Sequence, residues 1–190
     1  MNKVSHAIEK KAFEVTIDKI LKEKPEERQQ TLLKLVNLAE KYMGRNFTKE
    51  SYDGARKMII NADQKWIRFA NRLLEETDPH VAKMTALTLG FEAAFNGTKT
   101  IRKMREINKC NIPWLILMDP TSACNLHCKG CWAAEYGNKL NLTFEELDGI
   151  VTQGKKLGIY FYMMTGGEPL VRKADVIKLC DKHQDVAFHC

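Results

Sequence analysis

A chain of 190 residues is long enough to bury one good core or two small ones, and with 44% hydrophobic and 28% charged residues it has the make-up of a folded protein, which excludes a disordered chain. Met1 to His6 lead into a charged amphipathic pattern without a signal-peptide core, and no apolar run is long enough for a membrane span, so the cytoplasm is the expected compartment and no membrane partner is expected. The net charge of +6 is uneven, with 22 basic and 15 acidic side chains up to residue 109 and 8 and 9 beyond it. Basic and acidic residues interleave as on solvated helix faces, and no basic block carries stacking aromatics, so a nucleic-acid partner is not expected.

Residues 1–110 read as an all-α N-terminal region. Val4, Ala7, Ile8, Ala12, Val15 and Ile20 recur at helical spacing to about Leu21, and Pro25 suits the first turn of a second helix that carries Leu32 to Leu38 and stops near Gly44. Thr48 or Ser51 starts a third helical stretch running through Met58, Trp66, Phe69 and Leu74. Asp78-Pro79 opens a fourth that ends about Asn96-Gly97, and Thr98 to Asn108 forms a fifth. Trp66, Phe69, Phe91 and Phe95 sit where helix packing would use them, and no catalytic cluster is legible in this region.

The pattern changes at Asn111-Ile112-Pro113. Pro113 cannot donate to a ladder and suits the start of a strand, and Trp114 to Met118 reads as a strand buried on both faces. Further on, Thr143 and Glu146 form a capping box for a helix that Gly158 ends, Ile159 to Met164 gives a second strand, Lys173 to about His183 another helix, and Val186 to Cys190 a third strand. Strand, helix, strand, helix, strand calls for a parallel sheet of the α/β class. The chain stops inside that third strand, whose free edge needs further strands, so the sequence reads as the front part of a longer protein.

Between the first strand and the capping box lie Cys124, Cys128 and Cys131. The C-x3-C-x2-C spacing lets three thiolates turn toward one point from a loop of eight residues, which suits a cluster or a soft metal ion better than a disulfide. Three ligands also leave one position for a substrate or solvent, whereas a structural zinc site closes with four. A zinc site completed by His127 or His189, or an electron-transfer cluster completed by a distant cysteine, is the competing reading of the loop. Cys180 falls on the apolar face of a helix and reads as a small buried hydrophobe, while Cys110 and Cys190 have no partners at ligand spacing.

The loop Cys124-Asn125-Leu126-His127-Cys128-Lys129-Gly130-Cys131-Trp132, followed by Gly166-Gly167-Glu168-Pro169 at the end of the second strand, resembles the signature of the radical S-adenosylmethionine (SAM) enzymes. The resemblance covers residues 112–190 and implies an incomplete parallel (β/α)6 partial barrel of the TIM type, with residues 111–190 supplying its first three strands. It implies that Cys124, Cys128 and Cys131 bind three irons of a 4Fe-4S cluster. The fourth iron then takes SAM, which is reductively cleaved to a 5′-deoxyadenosyl radical that abstracts hydrogen from an unknown substrate. It further implies that Gly166, Gly167, Glu168 and Pro169 pair their backbone with SAM, with glycines giving the backbone close access to a ligand. Trp132, just after the third cysteine, reads either as a shield for the cluster or the adenine or as a packing residue under the loop. Partners implied are SAM, a substrate, and an electron donor such as a flavodoxin or ferredoxin. Glu168 reads as an acid or base by residue type, but the resemblance attaches the segment's importance to backbone geometry, and no catalytic side chain is assigned. Many members carry an aromatic residue where this chain has Gly130. An iron-sulfur binding module without turnover is the second reading.

Overall fold

A computed structural model describes residues 3–43, 48–61, 63–131, 137 and 139–190. They fall into two compact units, Met1–Met84 and Thr85–Cys190.

The first unit is helical: α1 (Lys3–Lys22), α2 (Pro25–Met43), α3 (Lys49–Ile60), α4 (Lys65–Glu76) and the start of α5 (Pro79–Thr85). The expected stop near Gly44 lies outside the described residues. Thr48 caps α3 by accepting from the Ser51 amide. The single third helix expected from periodicity is in fact two. Asn61 turns the chain after α3, its amide donating to Lys57 and its carbonyl accepting from Gln64, and the Gln64 side chain caps α4 at the Trp66 amide, 2.6 Å away. Asn and Asp favour turns because their side chains compete for backbone bonds, and here that preference outweighs the apolar period running through them. Buried Arg28 joins this unit's helices, donating to the Ile20 carbonyl at 3.1 Å and to Asn71 and Glu75. Trp66 and Phe69 are 57% and 49% exposed, contrary to the packing role expected of them.

In the second unit, a π-wound segment (Ala86–Gly97) runs directly into α6 (Thr98–Asn108), so Gly97 does not end a helix as expected. Its reason is packing. A side chain at Gly97 would lie 2.5 Å from the Gly158 carbonyl, and one at Gly158 would lie 2.6 Å from the Gly97 carbonyl, so the two glycines let this continuous helix and the turn at Gly158 touch through their backbones. Phe91 is buried and stacks on Phe95, as their spacing predicts.

Beyond α6 the order is β1 (Ile116–Met118), α7 (Phe144–Leu157), β2 (Phe161–Met164), a 3-10 turn (Pro169–Arg172), α8 (Lys173–Lys182) and β3 (Ala187–His189). The three strands pair in parallel in the order β1-β2-β3, with Ile116 opposite Tyr162 and Tyr162 opposite Phe188. Met118, Tyr162 and Met164 face a core built with Leu147 and Val151 of α7 and Val176 and Leu179 of α8. Period-two alternation places Leu117 on the other face, where it is 57% exposed, so β1 is buried on one face and not on both. The α7 caps are as the sequence predicts. Thr143 accepts from the Glu146 amide at 3.2 Å, Glu146 accepts from the Thr143 amide at 2.7 Å, and Gly158 ends the helix with φ 94°. Among the described residues, no helix is long and apolar enough to cross a membrane.

Candidate functional site

Parallel sheets gather functional loops at the carboxyl ends of their strands, because every strand delivers the chain to the same edge. Here the segments leaving β1 and β2 meet there. The amides of Gly167 and Glu168 donate to the carbonyls of Thr121 and Ala123, each at 2.9 Å. This contact bears on the glycine pair. A side chain at Gly167 would sit 2.1 Å from the Ala123 carbonyl oxygen and 2.8 Å from the Ser122 carbonyl carbon. The backbone that requires a glycine at this position is therefore the chain's own, one residue before Cys124.

The base of the cysteine loop is closed by a short antiparallel pairing. Thr121 bridges Asn141, Ser122 donates its amide to the Leu140 carbonyl at 2.8 Å, and Leu142 donates to the Pro120 carbonyl at 3.1 Å. Thr121 is 1% exposed; its hydroxyl donates to Asn141 Oδ1 at 2.5 Å and accepts from the Ala123 amide at 2.9 Å. Arg172 donates to the carbonyls of Pro120 and Leu142 from outside the pairing.

Cys124, Cys128 and Cys131 are all exposed on this loop. The Cys131 amide donates to the Cys128 carbonyl at 3.2 Å, making a turn in which Gly130 has φ 75°. Positive φ at the third position of such a turn calls for glycine, which explains why Gly130 stands between these two cysteines. Among the described residues, no three His, Cys, Asp or Glu side chains stand close enough together to hold a metal ion. The donor set nonetheless fits an iron-sulfur cluster: three uncrowded thiols on one loop with a closed base, whose convergence would come with the metal, since binding and ligand ordering are coupled. His127 and His189 are exposed and join no such group. Trp132 lies outside the described residues. Cys180 packs against the core, where burial pushes its thiol up, helped by the neighbouring Cys190 and Asp181.

Glu168 has a structural occupation. Its Oε1 accepts from the Leu170 amide at 3.0 Å, capping the turn that Pro169 begins. Beside the junction lies a cleft of about 490 Å³, lined by Asp119, Thr121, Ser122, Lys139, Leu140, Asn141, Leu142, Gly166 and Gly167, within the range of small-molecule sites. The Thr165 hydroxyl donates to Asp119 Oδ1 at 2.7 Å, tying the ends of β1 and β2 together. Asp119, Lys139 and Arg172 were not singled out by sequence reasoning. Only their position just beyond a strand end or a motif could have marked them.

The model of the radical SAM superfamily matches residues 118–189, which run from the last residue of β1 through the cysteine loop and the Gly-Gly-Glu-Pro segment to β3. Residues 118–189 are therefore similar to the radical SAM superfamily. A GTP 3′,8-cyclase of Alkaliphilus oremlandii (strain OhILAs) is 47% identical to this chain over 60 residues, 30% of this chain and 19% of that protein. The chain thus aligns with about a fifth of that relative's length. No solved structure matches the chain significantly. Within the matched segment, the cleft and the cysteine loop share the carboxyl end of the sheet.

Proposed function

We propose that residues 111–190 are the first part of a radical SAM enzyme core, an incomplete parallel (β/α)6 barrel, preceded by a helical region, residues 1–110, to which no role is assigned. Cys124, Cys128 and Cys131 would hold a 4Fe-4S cluster, and Gly166, Gly167, Glu168 and Pro169 would line the place of SAM. The observation that carries this reading is the pair of hydrogen bonds from Gly167 and Glu168 to Thr121 and Ala123, which joins the two motifs beside one cleft.

When bound, the cluster supplies the electron that cleaves the sulfonium carbon-sulfur bond of SAM and so initiates hydrogen abstraction from a substrate. The chain's own part is to bind and orient. The three cysteines serve as thiolates, the form that ligates metal. Asp119 and Lys139 bring opposite charges to the lining of the cleft, which suits the zwitterionic amino-acid end of SAM. Gly167 keeps the SAM segment and the cluster loop in backbone contact, so that the two cofactors are held at a fixed relation. Reduction requires a donor such as a flavodoxin or ferredoxin. The likeness to a GTP 3′,8-cyclase supports an enzyme over a binding module without turnover.

The test is the electron paramagnetic resonance spectrum of the reduced cluster with and without SAM. SAM is expected to change it by occupying the open iron. An unchanged spectrum under conditions where SAM binds would point instead to an electron-transfer cluster.

A further inference from the structure

We propose that Arg172 is a positioning residue that locks the base of the cysteine loop before any metal is bound. This rests on the reading of that loop as the cluster-binding element.

The argument begins with the guanidinium group, which offers five donors in a rigid fork and stays charged at any working pH. In this chain the fork is divided. Nε and Nη2 donate to Asp175 Oδ2 at 3.0 and 2.6 Å, which fixes the plane of the group on the first turn of α8. Nη1 is thereby aimed at the loop base, where it donates to the Pro120 carbonyl at 2.9 Å and closely to the Leu142 carbonyl. Those two carbonyls belong to opposite sides of the pairing that closes the loop. Pro120 also accepts from the Leu142 amide, so one carbonyl oxygen ties the two sides to each other and to α8. The side chain is only 18% exposed, so these bonds are largely withdrawn from competition with water.

The bonds between Thr121, Ser122, Leu140 and Asn141 hold the base together, but both partners lie on the same excursion of chain. Arg172 comes from a different element, four residues after Glu168. Its guanidinium clamps both sides of the base from the segment that follows β2. The consequence falls on Cys124, two residues beyond Ser122. Its starting position is set against the Gly167 segment even while the thiols are unconverged. A loop closed at its base leaves less chain to order when metal binds. Lysine could not replace this function in full, because a single ammonium lacks the fork that is steered by Asp175 while reaching two carbonyls.

The experiment compares the whole wild-type chain with Arg172→Gln, both prepared anaerobically. Two quantities are read: hydrogen exchange at the Ser122 and Leu142 amides in the metal-free protein, and iron retained after loading with iron and sulfide and desalting. Arg172→Gln is expected to speed exchange at both amides by about tenfold or more, leaving the α7 amides and the helical circular dichroism unchanged. Retained iron should fall by at least about half, following the looser ligand loop. Arg172→Lys should lie between the two. Unchanged exchange at the loop base, or faster exchange with full iron loading, would overturn the proposal. Should Arg172→Gln fail to fold, Asp175→Asn keeps the guanidinium but removes the guide. It should give a smaller rise at the same two amides, and no rise there would also overturn the proposal. Absence of iron from a wild-type chain whose base amides are protected would refute the cluster reading, and with it the positioning role. That result is distinct from failure of Arg172, which shows in the exchange comparison.

Discussion

Tyr162 sets the tightest fit in the second unit. Its ring is fully buried, and its hydroxyl is shared between the carbonyls of Val151 and Ile159, each 3.3 Å away. A side chain at Gly154 would lie 1.9 Å from that hydroxyl. Gly154→Ala should therefore cost about 1–3 kcal/mol in chemical denaturation, the usual range for overpacking a filled core. In a Tyr162→Phe background the same change should cost less, because the atom it strikes is gone; equal costs in both backgrounds would place the strain elsewhere. A second residue-scale prediction concerns pH. The Lys182 ammonium, 2.9 Å away, and then the ring of His183 hold the Asp148 carboxyl below the usual value of 3.8, with burial opposing. The folded carboxyl gives up its proton more readily than the unfolded one, so the pairing stabilises above pH 3.8 and is lost as pH falls through the lower folded value. Asp148→Asn should cost about 0.5–1 kcal/mol at pH 7, and the difference from wild type should vanish in acid well below 3.8.

Among the elements, α7 was the most legible in the sequence, because both its ends are written in local chemistry: a capping box at Thr143 and Glu146, and a left-handed glycine at 158. Thr143→Ala should cost about 1 kcal/mol of stability, measured by denaturant midpoint. The α3 and α4 pair was less legible, since an apolar period runs across Asn61 to Gln64 and only the turn chemistry there breaks it. Gly97 looked like a stop for the same local reason, yet the contact that requires it is with Gly158, a distant residue no local pattern reports. The Gly166-Gly167 pair was legible as a motif but only partly in its physics. Close approach to a ligand was the expected reason, and the Ala123 carbonyl, which a side chain at 167 would strike, adds a second one from within the chain. Gly167→Ala should therefore displace Ser122 and Ala123 and lower both retained iron and SAM binding. Loss of SAM binding with full iron content would show that Gly167 serves the ligand alone.

For the whole molecule, chain order and strand polarity were readable because crossover helices and apolar strands follow simple periods, and the parallel β1-β2-β3 sheet bears that out. The cysteine spacing pointed to a candidate ligand set without its geometry, because nothing in C-x3-C-x2-C states how its loop is closed. That closure depends on Thr121, Asn141 and Arg172, drawn from three separated stretches of sequence. The superfamily match to residues 118–189 and the backbone junction of the two motifs both support the proposal that the loop after β1 holds a cluster. The most direct measurement is iron and sulfide per chain after anaerobic reconstitution of the wild-type protein, Cys124→Ala, Cys128→Ala, Cys131→Ala and Cys180→Ala. One 4Fe-4S cluster is expected in the wild type and in Cys180→Ala, and none in the other three; a full cluster in any of those three would contradict the account.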